Sequence, residues 1–87
     1  MARVFIPAPL RKVTGGVDRT EARGKTVREV VDDLERQFPG FRDQIVEGSE
    51  LAPSLAVSVD GEIVSGGLLE PVRETSEIHF VPAIGGG

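Results

Sequence analysis

Thr26-Val27-Arg28-Glu29-Val30-Val31-Asp32-Asp33-Leu34-Glu35-Arg36-Gln37-Phe38-Pro39-Gly40 is the stretch on which the fold turns. Thr26 and Glu29 have the spacing of a capping box, in which the hydroxyl accepts the Glu29 amide and the carboxylate reaches back. Val27, Val30, Val31, Leu34 and Phe38 recur at helical spacing and make one apolar stripe. Asp32, Asp33, Glu35 and Arg36 take the opposite face, and Pro39-Gly40 stops the helix. An amphipathic helix needs an apolar surface to lie on, so the flanking segments have to supply a sheet.

Upstream, Arg3–Ile6 alternates, with Val4 and Ile6 on one side and Arg3 and Phe5 on the other. Pro7 and Pro9 end this strand, and Leu10–Gly16 reads as a loop closed by Gly15-Gly16. Val17–Ala22 is polar but β-compatible, an edge strand. Downstream, Phe41, Ile45 and Val46 predict one short helical turn stopped by Gly48. Leu55–Val59 alternates with Leu55, Val57 and Val59 inward, and Asp60-Gly61 is a hairpin turn whose central residues both need positive φ. Glu62–Val64 returns. Ser65–Ser76 is loop with Leu68, Leu69 and Val72 as expected anchors. Glu77–Val81 is the last strand, with Ile78 and Phe80 inward and His79 and Val81 outward. The order β-β-α-β-β-β is an α+β chain, a mixed sheet of about five strands with one main helix on one face. With the first and last strands as parallel neighbours at the centre, by analogy, this is the β-grasp or ubiquitin-like architecture. Val4, Ile6, Val27, Val30, Val31, Leu34, Leu55, Val57, Ile78 and Phe80 form the expected core.

At 87 residues there is room for one domain. Residues 1–82 form its body and residues 83–87 a flexible, glycine-rich tail. A domain of this size buries about 60–65% of the surface its unfolded chain exposes, so a deep pocket is not expected. Cysteine is absent, which removes disulfides, thiolate nucleophiles and Cys-ligated metal. The net charge is −4, split as +5 over residues 1–28 and −9 over residues 29–87. An acidic chain without an aromatic-rich basic run is not expected to bind nucleic acid. No run approaches the ~20 apolar residues of a membrane span. The start, Met1-Ala2-Arg3-Val4-Phe5-Ile6-Pro7, has no secretory apolar region. A cytoplasmic protein is expected.

Side chains offer little chemistry. A nucleophile needs a base and an orienting group, yet the chain has one His, no Cys and no Tyr. His79 sits on an outward strand position and reads as a structural or interface residue. A lone His falls short of a zinc set. Gly15-Gly16 and Gly66-Gly67 lack the Lys-Ser/Thr of a phosphate loop. The terminal run Pro82-Ala83-Ile84-Gly85-Gly86-Gly87 is different. Without Cβ atoms, glycine backbone passes through a narrow channel, and five residues beyond Pro82 extend about 16–18 Å. That length delivers a terminus into another protein's active site.

Phe80-Val81-Pro82-Ala83-Ile84-Gly85-Gly86-Gly87 resembles the Phe-x-Pro-Pro-Val-x-Gly-Gly ending of MoaD/ThiS-type sulfur carriers, which include the small subunit of molybdopterin synthase and the thiamine sulfur carrier. Gly86-Gly87 fall on the diglycine and Gly85 on the variable residue. Leu55–Val59 followed by Asp60-Gly61 resembles the family's Val-Asn-Gly-Glu segment, with Asp60 for Asn. Ile6–Gly16 resembles the carriers that supply sulfur for cysteine synthesis. Arg73-Glu74-Thr75-Ser76 departs from the family's Asp-Gly-Asp turn, and the geometry there stays open.

The resemblance implies a protein whose working group is its own terminus. An ionised carboxylate, with an ordinary pKa of about 3.5, is a poor electrophile. An ubiquitin-activating-like adenylyltransferase would use ATP to adenylate Gly87, with Gly86 beside it in the channel. Sulfur from a donor such as a sulfurtransferase would then displace AMP and leave a thiocarboxylate. The acceptor would be a cysteine synthase-like enzyme, the large subunit of molybdopterin synthase or a thiazole synthase-like enzyme. The chain would bind no cofactor or metal and would be no enzyme itself. Its docking face would be the outward Phe5, Ala56 and Val81 with His79 beside them, and its stem Pro82, Ala83, Ile84 and Gly85. Two other readings share this body: a modifier joined to lysines, and an obligate subunit of a molybdopterin synthase.

Overall fold

The computed structural model describes residues 1–83. Thr26 caps the main helix, α1 (Val27–Gln37), its Oγ1 accepting the Glu29 N–H at 3.2 Å. The Glu29 carboxylate does reach back, but to the Lys25 N–H at 3.0 Å, one residue before the cap. The chain runs tight under the helix start here. Gly24 has φ 155°, and a Cβ on it would lie 2.7 Å from the Val30 amide nitrogen. Val27, Val30, Val31 and Leu34 are buried as the stripe requires.

That stripe lies on a five-stranded sheet of β1 (Ala2–Phe5), β2 (Arg19–Ala22), β5 (Leu55–Val59), β6 (Glu62–Val64) and β7 (Glu77–Pro82). The order across it is β2-β1-β7-β5-β6. β1 and β7 run parallel at the centre, with Val4 level with Ile78 and Phe5 level with His79. β2 is an edge strand, as expected. Asp60 and Gly61 both take positive φ, 52° and 89°, in the β5–β6 hairpin. Val4, Ile6, Val57, Ile78 and Phe80 meet the helix stripe in one core, joined by Ala2, Leu10, Ala22, Phe41, Ile45, Leu68 and Val72. Leu55 is half-buried and packs against that core from its rim. No helix among the described residues is long and apolar enough to cross a membrane.

Several details differ from the sequence reading. The segment expected as open loop after β1 begins with a 3₁₀ helix, Ala8–Val13, that buries Leu10. The expected helical turn after α1 is present as α2 (Phe41–Ile45), but Val46 leaves it to begin a small hairpin of β3 (Val46–Glu47) and β4 (Glu50–Leu51). Leu69 is no anchor: it is 77% exposed. It sits in a 3₁₀ turn, Gly67–Leu69, where successive side chains point about 120° apart, so burying Leu68 turns Leu69 outward. The body also extends one residue into the expected tail, because the Ala83 N–H donates to the Ser54 carbonyl at 2.9 Å.

Carboxylates tie the layers together. Glu35 on α1 accepts the Gly40 N–H at 3.0 Å and the Arg42 N–H at 2.8 Å, which fixes the entry to α2. These amides hold its carboxyl below the ordinary value. Asp33 is also held low, chiefly by its hydrogen bond from Arg36, 2.7 Å away, and it accepts the Arg23 N–H beyond β2. Asp60 accepts the Glu77 N–H at 2.9 Å and the Ser76 hydroxyl at 3.1 Å. Ser76 in turn accepts the Arg73 N–H at 2.9 Å, so the Arg73–Ser76 segment is a closed turn locked to the hairpin.

Candidate functional site

Alternation along β1 and β7 that buries Val4, Ile6, Ile78 and Phe80 leaves Phe5, His79 and Val81 on the sheet face opposite α1. Parallel pairing puts Phe5 beside His79. Their rings stack, with centroids 4.3 Å apart and planes within 1°. His79 Nε2 lies 3.9 Å from a Glu77 carboxylate oxygen, and the two side chains are 40% and 41% exposed. Ala56 is the register partner of Val81, and both are half-buried. The four residues expected to form the docking face therefore lie on three adjacent strands. The stack itself was invisible in the sequence, because it depends on the β1–β7 register.

β7 carries the chain out of the middle of this sheet. Pro82 is exposed and pairs with Leu55, and Ala83 is held by Ser54. The next residues, Ile84, Gly85, Gly86 and Gly87, lie outside the described residues, and with them the group assigned to the chemistry. Among the described residues no three of His, Cys, Asp and Glu come together as a metal site. His79 has only Glu77 near it as an ionic partner among those residues. The described body thus offers a platform, a stacked aromatic pair and an exit for the chain.

Beside the stack an open groove of about 480 Å³ runs toward the start of β2, lined by Phe5, Pro7, Arg11, Asp18, Arg19 and His79 among others. Arg11 and Arg19 were not singled out in the sequence. The place of Arg19 depends on the β1–β2 register, which sets it directly opposite Phe5.

The ThiS family model matches residues 4–87, which takes in the terminal glycines. The sulfur carrier protein CysO of Mycobacterium tuberculosis is 33% identical over 89 residues, covering 97% of this chain and 96% of that protein. A chain in the crystal structure of the Amycolatopsis orientalis BexX/CysO complex superposes with a TM-score of 0.90 at 37% identity, covering 100% of both chains. SAMP1 from Haloferax volcanii superposes with a TM-score of 0.71 at 26% identity, over 99% of this chain and 98% of that one.

Proposed function

Because this chain belongs to the ThiS family, we propose that it is a sulfur carrier of the cysteine-synthesis type, with the Gly87 carboxylate as its working group. One observation carries the reading most of the way. The family match continues through residue 87 while the CysO carriers align with nearly the whole chain, so body and terminal glycines belong to one design. The platform supports it: β7 leaves the sheet centre beside a half-buried aromatic stack, which suits a protein that is gripped by its sheet while its end is threaded away.

The chemistry runs as follows. A Gly87 carboxylate oxygen attacks the α-phosphorus of ATP within an adenylyltransferase, and pyrophosphate leaves. A hydrosulfide sulfur then adds to the acyl carbon and AMP leaves, giving the thiocarboxylate. The chain contributes no acid or base to these steps; it contributes reach and orientation. Phe5, His79, Ala56 and Val81 hold the body against the activating enzyme. Pro82 to Gly86 span the distance to the nucleotide. The chain is a substrate of that enzyme in the cytoplasm, and an acceptor synthase draws on the stored sulfur.

Gly86→Val tests this. A β-branched side chain restricts the backbone and fills a channel meant for glycine. Misplacing a reacting group by about 1 Å costs roughly a hundredfold in rate. The variant should unfold like wild type and fail to gain the oxygen-to-sulfur mass increase when incubated with the activating enzyme, ATP and sulfide. Loading at the wild-type rate would remove the tail from the mechanism. The similarity to SAMP1 keeps a second reading in view, in which a lysine amine takes the place of sulfur. Intact mass of the protein recovered from cells separates them: thiocarboxylate supports the carrier, lysine-linked adducts the modifier.

A further inference from the structure

We propose that the groove beside the Phe5–His79 stack receives an aspartate or glutamate side chain, presented on an apolar segment of the enzyme that activates the tail. The proposal rests on the carrier reading and adds the chemistry of the partner surface. The lining includes the stacked pair, on which an apolar or aliphatic stretch can pack. Arg11 and Arg19 also line it. Arg11 donates Nε–H to the Ile6 carbonyl at 3.1 Å, which fixes the guanidinium in place and leaves its terminal nitrogens for another acceptor. Arg19 pairs in register with Phe5 and so projects on the same face. Among the described residues neither arginine makes an ion pair.

Each guanidinium presents the planar fork that binds a carboxylate through two parallel N–H bonds, and the groove holds two of them beside an aromatic surface. Asp18 is the one carboxylate in the lining, and it repels a doubly charged phosphate more than a single carboxylate. The net charge of −4 works against a polyanion such as nucleic acid. Most of the groove's lining comes from residues 1–28, the segment of net charge +5, and Arg11 and Arg19 are the charged residues that outnumber Asp18 in it. Such complementarity acts mainly through encounter and register.

The test is ATP–pyrophosphate exchange by the activating adenylyltransferase, with carrier concentration varied. Arg19→Glu should raise the KM for carrier about tenfold at low salt with kcat nearly unchanged, and the gap should narrow as salt is added. Arg19→Lys should recover part of the loss. Arg23→Glu makes the same change of charge outside the groove and should leave KM within about twofold of wild type. Thermal unfolding of all three should match wild type. A wild-type KM for folded Arg19→Glu would overturn the proposal. So would an equal rise in Arg23→Glu, which would mark the field of the whole molecule in place of a site. Wild-type protein that supports no exchange at all would overturn the carrier reading, and the groove with it.

Discussion

Ser76 buries a hydroxyl that is 1% exposed and uses it twice, accepting from Arg73 and donating to Asp60. Ser76→Ala leaves the Arg73 amide without its partner, and should cost about 1–3 kcal/mol in urea unfolding. Leu34 is fully buried between helix and sheet. Leu34→Ala should cost about 2–5 kcal/mol, the range for a large cavity in a close-packed core; a loss under about 0.5 kcal/mol would take Leu34 out of that core. Phe5 differs in kind, because it is half-buried and its ring stacks on His79 outside the core. Phe5→Asp should therefore keep the fold, as read by circular dichroism, while slowing adenylation. Adenylation at the wild-type rate in a folded Phe5→Asp protein would remove the stack from the docking face.

At the scale of elements, α1 is fastened at its ends as well as by its buried stripe. Thr26→Ala removes the side-chain acceptor for Glu29 and should cost about 0.5–2 kcal/mol. Glu35 joins α1 to α2, and both it and Asp33 are held below their ordinary values of 4.5 and 3.8. The fold therefore favours their ionised forms. The stability they contribute is complete above those ordinary values and is lost as pH falls through them toward the depressed folded-state values. Urea midpoints measured between neutral pH and pH 3 should fall on the acid side, and Glu35→Gln should flatten that fall. The strands and α1 were legible because alternation and helical spacing each persist over several residues. The 3₁₀ helix at Ala8–Val13 was not, since Pro7 and Pro9 read as strand breakers and a six-residue 3₁₀ segment leaves little periodicity. The β3–β4 hairpin has two residues per strand, too few to alternate. Phe41 and Ile45 were read as a helical turn but not as core, although both are fully buried.

For the whole molecule, the proposed docking face was legible as a set of outward positions, and its inner order was not. Phe5, Ala56, His79 and Val81 follow from period-two reading of three strands. Their contacts, and the guanidiniums beside them, follow from which strands are neighbours. That neighbourhood has a consequence in the cell. β1 and β7 are paired, yet more than seventy residues separate them along the chain. During synthesis the early segment waits on the ribosome without its central companion. Nascent chains halted before Glu77 should be digested readily by protease, and protection should appear only once Phe80 has cleared the exit tunnel. The proposed docking face is assembled from the first and last strands of the body, so an unfinished or misfolded chain has no such face to offer. Under the proposed function, activation would act as an inspection of completed molecules.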